Sequence, residues 1–203
     1  MKLYDFKQGP NPRRVRIFLA EKGVQVPLVH VDILKREQKH PDFLKKNPIG
    51  SIPVLELEDG TCISESVAIC RYFEELHPEP PLFGTSPLEK ATIEMWLRRV
   101  ELNVMVPVGM VWIHGHPLTA RLIQQIPKVA DQNRKRAQIG YKLLDEQLAK
   151  AAFIAGDAYT VVDAVLLATL DFATGLVGVP YDQDLTHLKR WHDQVSARPS
   201  AAA

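Results

Sequence analysis

Residues 47–76 read NPIGSIPVLELEDGTCISESVAICRYFEEL, and three local rules fix their shape. Val54–Leu57 and Thr61–Ile63 are short runs rich in apolar and β-branched residues. Glu58-Asp59-Gly60 lies between them, so strand, Asp-Gly turn and strand predict a β-hairpin. Ser64–Leu76 then places Val67, Ile69, Cys70, Phe73 and Leu76 on one face of a helix. Upstream, Asn47-Pro48-Ile49-Gly50 breaks the chain.

The pattern extends towards the N-terminus. Lys2–Phe6 reads as a strand, and Gly9-Pro10-Asn11-Pro12 as a turn. Asn11 followed by Pro12 predicts a helix start with Asn11 as N-cap, because proline at the first helical position loses no needed N–H. Val15, Phe18 and Leu19 follow at helical spacing, Gly23 stops the helix, and Val26–Val31 predicts a second strand, parallel to the first. Residues 33–47 are polar and basic, with a short helix around Asp42–Lys46. The predicted order β-α-β, loop or short helix, β-β-α defines a four-stranded mixed sheet carrying helices: an α+β domain over residues 1–77.

Pro78, Pro80, Pro81, Gly84 and Pro87 mark 78–87 as a linker. Beyond it only helical periodicity remains, over roughly 88–113, 119–150, 160–175 and 185–197, with Pro107 and Pro127 expected to kink or split the first two. Residues 88–203 are therefore expected to form an all-helical domain. Thr160-x-x-Asp163 fits a capping box at the start of one helix.

Composition narrows the function. The 203 residues are 46% hydrophobic and 24% charged, which excludes a disordered chain. Lys+Arg number 25 against 24 Asp+Glu, which argues against a globally basic nucleic-acid binder. The balance is uneven, with 11 basic and 5 acidic residues in 1–50 but 1 and 7 in 51–80. Two solvated faces would produce this distribution, as would a site for a ligand carrying both signs. Two cysteines exclude a disulfide scaffold or a Cys-rich zinc site. No apolar run reaches the ~18 residues of a membrane span, and MKLYDFKQGP lacks the apolar stretch of a signal peptide. A cytoplasmic protein is the expectation.

Two motifs in order, Asn47-Pro48-Ile49-Gly50-Ser51-Ile52-Pro53-Val54-Leu55 and Ile63-Ser64-Glu65-Ser66-Val67-Ala68-Ile69, resemble the glutathione-binding segment of cytosolic glutathione transferases. The resemblance covers the whole chain. Gly156-Asp157 with Thr160–Asp163 is similar to the family's helix-capping segment, and Trp191–Pro199 to its closing helix. Pro10-Asn11-Pro12-Arg13-Arg14-Val15-Arg16 is similar to bacterial members near the phi, theta and nu-like classes. The resemblance implies a thioredoxin-like domain at 1–77 and a helical domain at 88–203 contributing the electrophile pocket.

It also implies a set of site residues. Ile52-Pro53 stands where the family has a cis peptide, which would present the Ile52 backbone as an edge for a peptide ligand. An ordinary trans proline opening a strand is the other reading. Glu65 and Ser66 would hold the γ-glutamyl ammonium and carboxylate, using the free N–H groups of a helix start. A plain helix cap is the alternative for this pair. Gln38 and Lys39 occupy the positions of a His-Lys pair that binds the glycyl carboxylate, although Lys39 also reads as one solvated lysine among several. His40 is expected on the surface.

The nucleophile is then the ligand's own thiol. Many family members offer it a Ser or Tyr, but Gly9 stands at that position here. Asn11 is the nearest replacement as thiolate stabiliser, in competition with its use as a cap. Tyr4 reads as packed on its strand, and Arg13, Arg14 and Arg16 as a source of local positive potential or as surface and dimer contacts. Met105, Val108 and Trp112 are pocket candidates, with core packing the alternative. His114-Gly115-His116 lacks a third ligand, so no metal is expected. Gly9–Pro12 carries no Cys-x-x-Cys, and Cys62 and Cys70 read as core, so the protein has no dithiol motif of its own.

The expected function is a glutathione transferase that conjugates glutathione, as co-substrate, to a hydrophobic electrophile in detoxification. Expected partners are these two ligands and a second copy in a homodimer, with neither nucleic acid nor membrane. A nu-like glutathione-dependent disulfide or peroxide reductase is an alternative enzyme. A non-catalytic binding or partner-interaction protein on the same fold is the alternative of another class, kept open by Gly9.

Overall fold

The computed structural model describes residues 1–203. They divide into two compact units, Met1–Leu82 with Pro199–Ala203, and Phe83–Arg198. The division falls inside the proline-rich segment. The last five residues, which the sequence reading placed with the helices, return to the first unit, where Arg13 Nη2 donates to the Ala201 carbonyl at 2.9 Å.

The first unit contains β1 (Lys2–Asp5), α1 (Pro10–Glu21), β2 (Leu28–His30), α2 (Pro41–Leu44), β3 (Val54–Glu56), β4 (Cys62–Ser64) and α3 (Ser66–Leu76). The sheet order is β2-β1-β3-β4, with β1 parallel to β2 and the other pairs antiparallel. This is the expected mixed sheet. The hairpin turn forms because Gly60 takes a φ of 86° and the Asp59 carboxylate accepts the Thr61 N–H at 2.9 Å.

Register places the loops. Asp5 pairs with His30, Tyr4 with Val54, and Val54 with Ser64. The segments leaving β1, β2 and β4 and the one entering β3 therefore issue from one end of the sheet. All the candidate glutathione residues lie on those four segments.

α1 and α3 pack on the sheet in a fixed parallel register. Arg14 Nη1 donates to Ser66 Oγ at 3.4 Å, and Lys22 Nζ pairs with Glu74 at 2.6 Å, both pairs 52 residues apart. Arg14, Phe18 and Lys22 follow at i, i+4 and i+8 on α1, and Ser66, Cys70 and Glu74 do so on α3, all buried. Lys22 also donates to the carbonyls of Pro78 and Pro80, which ties the chain after α3 to α1.

Tyr4 is buried, as expected, and its hydroxyl donates to Glu56 at 2.7 Å. Lys46 and Lys2 pair with the same carboxylate at 2.5 and 3.3 Å. The Lys46 ammonium, then the Tyr4 hydroxyl, holds the Glu56 carboxyl at about 2, and both lysines are raised in return.

The second unit is helical: α4 (Pro87–Val100), α5 (Val106–Gly115), α6 (Pro127–Leu148), α7 (Val161–Phe172) and α8 (Thr186–Ser196). The prolines split the helices as predicted. Pro127 opens α6, and Pro107 lies in the first turn of α5, after a π-helical segment, Glu101–Met105. Gly140 on α6 fits this widened segment, since a Cβ there would lie 2.5 Å from the Asn103 carbonyl oxygen. α7 is the core helix, with every residue from Val161 to Leu170 buried. Its capping box is present: Asp163 accepts the Thr160 N–H at 2.8 Å, and its carboxylate also receives Trp191 Nε1 at 2.8 Å and the Ile154 N–H at 3.2 Å.

The Glu56 network generates a pH signature. Its folded pKa lies below the ordinary 4.5, so its stabilisation is complete above that value and is lost as pH falls towards 2. Glu56→Gln is expected to melt at a lower temperature than the parent at pH 7, with the gap closing between about pH 4.5 and 2. Melting curves across pH check this, and a gap that stays constant would remove the carboxylate charge from the explanation.

Candidate functional site

The first candidate segment is the start of α1. The helix begins at Pro10, with Gly9 as N-cap and no side-chain cap, so Asn11 is the second helical residue and not the predicted N-cap. The reason is that Pro10, like Pro12, has φ preset for a helix and needs no N–H partner. Of the backbone donors here, Gly9 N–H goes to the Phe6 carbonyl and Arg13 N–H to the Gly9 carbonyl, at 2.8 and 3.1 Å. Pro10 and Pro12 have none. The helix start is left with one free backbone N–H, that of Asn11, beside an exposed Asn11 amide that makes no hydrogen bond in the chain. A Cβ at Gly9 would lie 3.0 Å from Pro12 Cδ and 3.2 Å from the Phe6 oxygen, so a serine there would have to displace the proline ring.

The second segment joins β4 to α3. Glu65 has φ 68° and ψ 117°, a conformation costly for a residue with a side chain, by ~1–3 kcal/mol. Its carboxylate caps nothing and is exposed, while Ser66 behind it is buried. The Ser66 hydroxyl oxygen accepts from Arg14. Continuing the Val54–Ser64 register sets Pro53 and Ile52 across from Glu65 and Ser66.

The third segment is the loop before β3. The Ile52–Pro53 peptide is cis, Pro53 is buried, and Ile52 packs against the cluster of Tyr4, Val31, Phe43 and Val54. The Ile52 N–H and C=O have no backbone partner. Asn47 builds this loop from inside. It is 1% exposed, donates to the Ser51 carbonyl and hydroxyl at 2.8 and 3.0 Å, and accepts the Ile49 N–H at 3.2 Å. From sequence alone Asn47 reads only as part of a chain break.

The fourth segment is the 3₁₀ turn Glu37–Lys39, entered through Arg36 at φ 63°. Lys39 is exposed, and its ammonium donates to the Ile49 carbonyl at 2.8 Å. Gln38 is half-buried, with Oε1 enclosed and unpartnered. Gly50, at φ 62°, joins this turn to the third segment: a Cβ there would meet the Gln38 oxygen at 2.8 Å and Lys39 Cδ at 2.9 Å. His40 is exposed, as expected, and caps α2 by accepting the Asp42 N–H at 3.4 Å. A cleft of about 650 Å³ opens beside the turn, lined in part by Arg36, Lys39 and His40.

The arginines of α1 differ from one another. Arg14 is 2% exposed, so it is neither a surface nor a dimer-contact residue, while Arg16 pairs with Asp5 and Arg13 holds the Ala201 carbonyl. Cys70 is buried, and burial pushes its thiol well above the usual range; Cys62 is half-buried and also shifted up by burial.

In the helical unit, Met105 and Trp112 are half-buried, but Val108 is 1% exposed. Val108 supports α5 from behind and offers no surface to a ligand. Trp112 stacks on His116 with ring centres 4.3 Å apart and meets Phe172 edge-on at 5.4 Å. His114 and His116 each accept a loop N–H, from Ile126 and Leu118. Gln125 and Thr119, which carry no signal in the sequence, tie the 116–126 loop to the end of α5 through the Ile113 and His116 carbonyls.

The fold and these four segments define a two-part protein, a thioredoxin-like unit followed by an all-helical one. Its first 75 residues match the family model of the glutathione S-transferase N-terminal domain, and residues 108–199 match that of the C-terminal domain. Glutathione S-transferase 2 of Saccharomyces cerevisiae is 37% identical over 98% of this chain and 87% of its own length. Among solved structures, a glutathione S-transferase domain-containing protein of Marinobacter aquaeolei is 42% identical, covers 98% of this chain and 99% of its own, and has a TM-score of 0.94. A Gtt2-class enzyme of Vibrio parahaemolyticus is 32% identical over 98% of this chain and 94% of its own, with a TM-score of 0.87. The chain belongs to the glutathione S-transferase family, a family of transferases that use glutathione as co-substrate.

Proposed function

We propose that this protein binds reduced glutathione along the four segments, stabilises its thiolate at the start of α1, and transfers it to a hydrophobic electrophile. The carrying observation is the shared end of the sheet. A tripeptide with a carboxylate at each end, an ammonium and a thiol needs an acid, a helix start, an open backbone edge and a cation in sequence. Glu65, Ser66, the Ile52 backbone beside Pro53, and Lys39 with Gln38 supply them on adjoining loops.

Asn11 is the thiolate donor in this reading. Two prolines strip the helix start of other free donors, and capping does not consume the amide. Its N–H groups and the positive end of α1 favour the thiolate over the thiol. Catalysis is then positioning together with electrostatic stabilisation, with no covalent enzyme intermediate. Met105 and Trp112 belong to the electrophile pocket, with Val108 as support. A role in cytoplasmic detoxification is part of the same proposal; no helix is long and apolar enough to cross a membrane.

A homodimer is also proposed. Leu88, Met95, Leu102, Val106 and Ile113 are exposed apolar residues spaced by seven, seven, four and seven along α4, the π-helical segment and α5, which places them on one face of this helical run. Sizing by light scattering is expected to give twice the 22.9 kDa of the chain, and a monomer at micromolar concentration would remove this part.

Retention on immobilised glutathione tests the central reading. The parent is expected to bind, and Glu65→Ala to lose about 10-fold or more in affinity, as when a charged hydrogen-bond partner is removed. A parent that is not retained would overturn the assignment. Asn11→Ala is expected to lower turnover with a chloronitrobenzene electrophile far more than glutathione affinity, and to raise the pKa of the bound thiol followed by thiolate absorbance. An unchanged thiol pKa would take Asn11 out of the mechanism.

A further inference from the structure

We propose that the cleft beside the Glu37–Lys39 turn is a second anion subsite, and that it takes the side-chain carboxylate of a γ-glutamyl-cysteinyl peptide ending in glutamate instead of glycine. The inference rests on the reading that Gln38 and Lys39 hold the C-terminal carboxylate of the ligand.

The cleft has a volume of about 650 Å³, far more than a glycyl carboxylate fills, and falls in the size range of small-molecule sites. Lys39 belongs both to its wall and to the pair read as holding the C-terminal carboxylate, so the two subsites share one cation. Pro41 and Phe43 supply an apolar part for side-chain methylenes, and Lys35, Arg36, Glu37 and His40 complete the lining.

These groups differ in what they already hold. Lys35 Nζ pairs with Asp32 at 3.3 Å, and the Glu37 carboxylate accepts the Asp32 N–H at 2.7 Å. His40 Nδ1 accepts the Asp42 N–H, which places the ring hydrogen of a neutral imidazole on Nε2. Arg36 commits its backbone, donating its N–H to the Ile33 carbonyl at 3.1 Å and accepting the Lys39 N–H at 2.9 Å. Its exposed guanidinium holds nothing in the chain, and neither does His40 Nε2. A fixed fork of donors and one further N–H are thus left over, the set that a carboxylate uses. Three cations against one acid in the lining favour an anion over a cation there.

The backbone points to the same side chain. Only two non-glycine residues have positive φ: Glu65, read as a ligand residue, and Arg36 at 63°. Glycine takes this conformation without the crowding that a Cβ brings. An arginine held there, with its guanidinium free beside a cleft, indicates a use for that group.

Calorimetric titration with three thiol peptides tests this: glutathione, γ-glutamyl-cysteinyl-glutamate and γ-glutamyl-cysteinyl-glutamine. The last two are alike in shape and differ by one charge. The parent is expected to bind the glutamate peptide about 3- to 10-fold tighter than the glutamine peptide at low salt, as suits an exposed charge-assisted contact. That preference is expected to shrink as salt is raised. Arg36→Gln is expected to abolish it while changing glutathione affinity by less than about 2-fold. Arg36→Gly, which suits the φ of 63°, relieves the turn while removing the side chain, and is expected to lose the preference as well. A parent that binds the two peptides alike, or rejects both while binding glutathione, overturns the second subsite and leaves the glutathione site standing. A preference that survives in both variants overturns it equally. So does a loss spread evenly over all three peptides, which would make Arg36 a support of the turn only. A parent that binds none of the three overturns the glutathione reading itself, and this inference with it.

Discussion

Lys22 enters the contact between α1 and α3 with its side chain fully enclosed, and Glu74 meets it there. A buried charge without a partner is far costlier than a mispacked methyl group, so this pair admits one register of the two helices. Arg14 and Ser66 obey the same offset at the other end. Because α1 follows β1 and α3 follows β4, fixing the helices fixes where both of their N-termini open at the end of the sheet. The free N–H of Asn11 and the hydroxyl of Ser66 owe their placement in part to the Lys22–Glu74 pair at the far end of the two helices.

The loops between those helix starts are rigid for a different reason. Few of their backbone groups belong to the sheet, so buried side chains take over. Asn47 holds three groups of its own loop. Gly50 lets that loop close on the Gln38–Lys39 turn to a distance no other residue allows, and Lys39 bridges the same gap through the Ile49 carbonyl. The Ile52 N–H and C=O stay open, since neither finds a backbone partner in the chain.

In the helical unit the decisive constraint is backbone shape. A π segment widens the chain between α4 and α5, and Gly140 of α6 packs into it. The α7 core is anchored by Asp163, whose fully buried carboxylate is pushed towards the neutral form by desolvation and pulled back by four donors, among them Trp191. One acid thereby connects the start of α7 to α8 and to the 153–160 loop.

Much of this was legible in local chemistry. The Asp-Gly turn, the helix behind it, the four strands and the capping box at Thr160 are decided by neighbours in sequence, where dihedral preference and periodicity suffice. The candidate ligand residues were legible only because two motifs occur together. Less was readable at Asn11: propensity favoured it as N-cap, but Pro10 is as good a first helical residue as Pro12, and the helix began earlier. Asn47, Gly50, Arg14 and Lys22 carried no local signal at all. Asparagine and glycine read as turn formers, and arginine and lysine as surface, because the burial of Arg14 and Lys22 depends on partners 52 to 58 residues away in sequence. The amino-acid sequence by itself thus determined the elements and their order, since these follow from short-range sterics and hydrophobic pattern, while the candidate ligand residues follow only from the resemblance of two motifs to the family. Only the tertiary structure decided which charges are buried, which hydroxyl is oriented and which backbone edge stays open, since those depend on distant groups competing for the same hydrogen bonds.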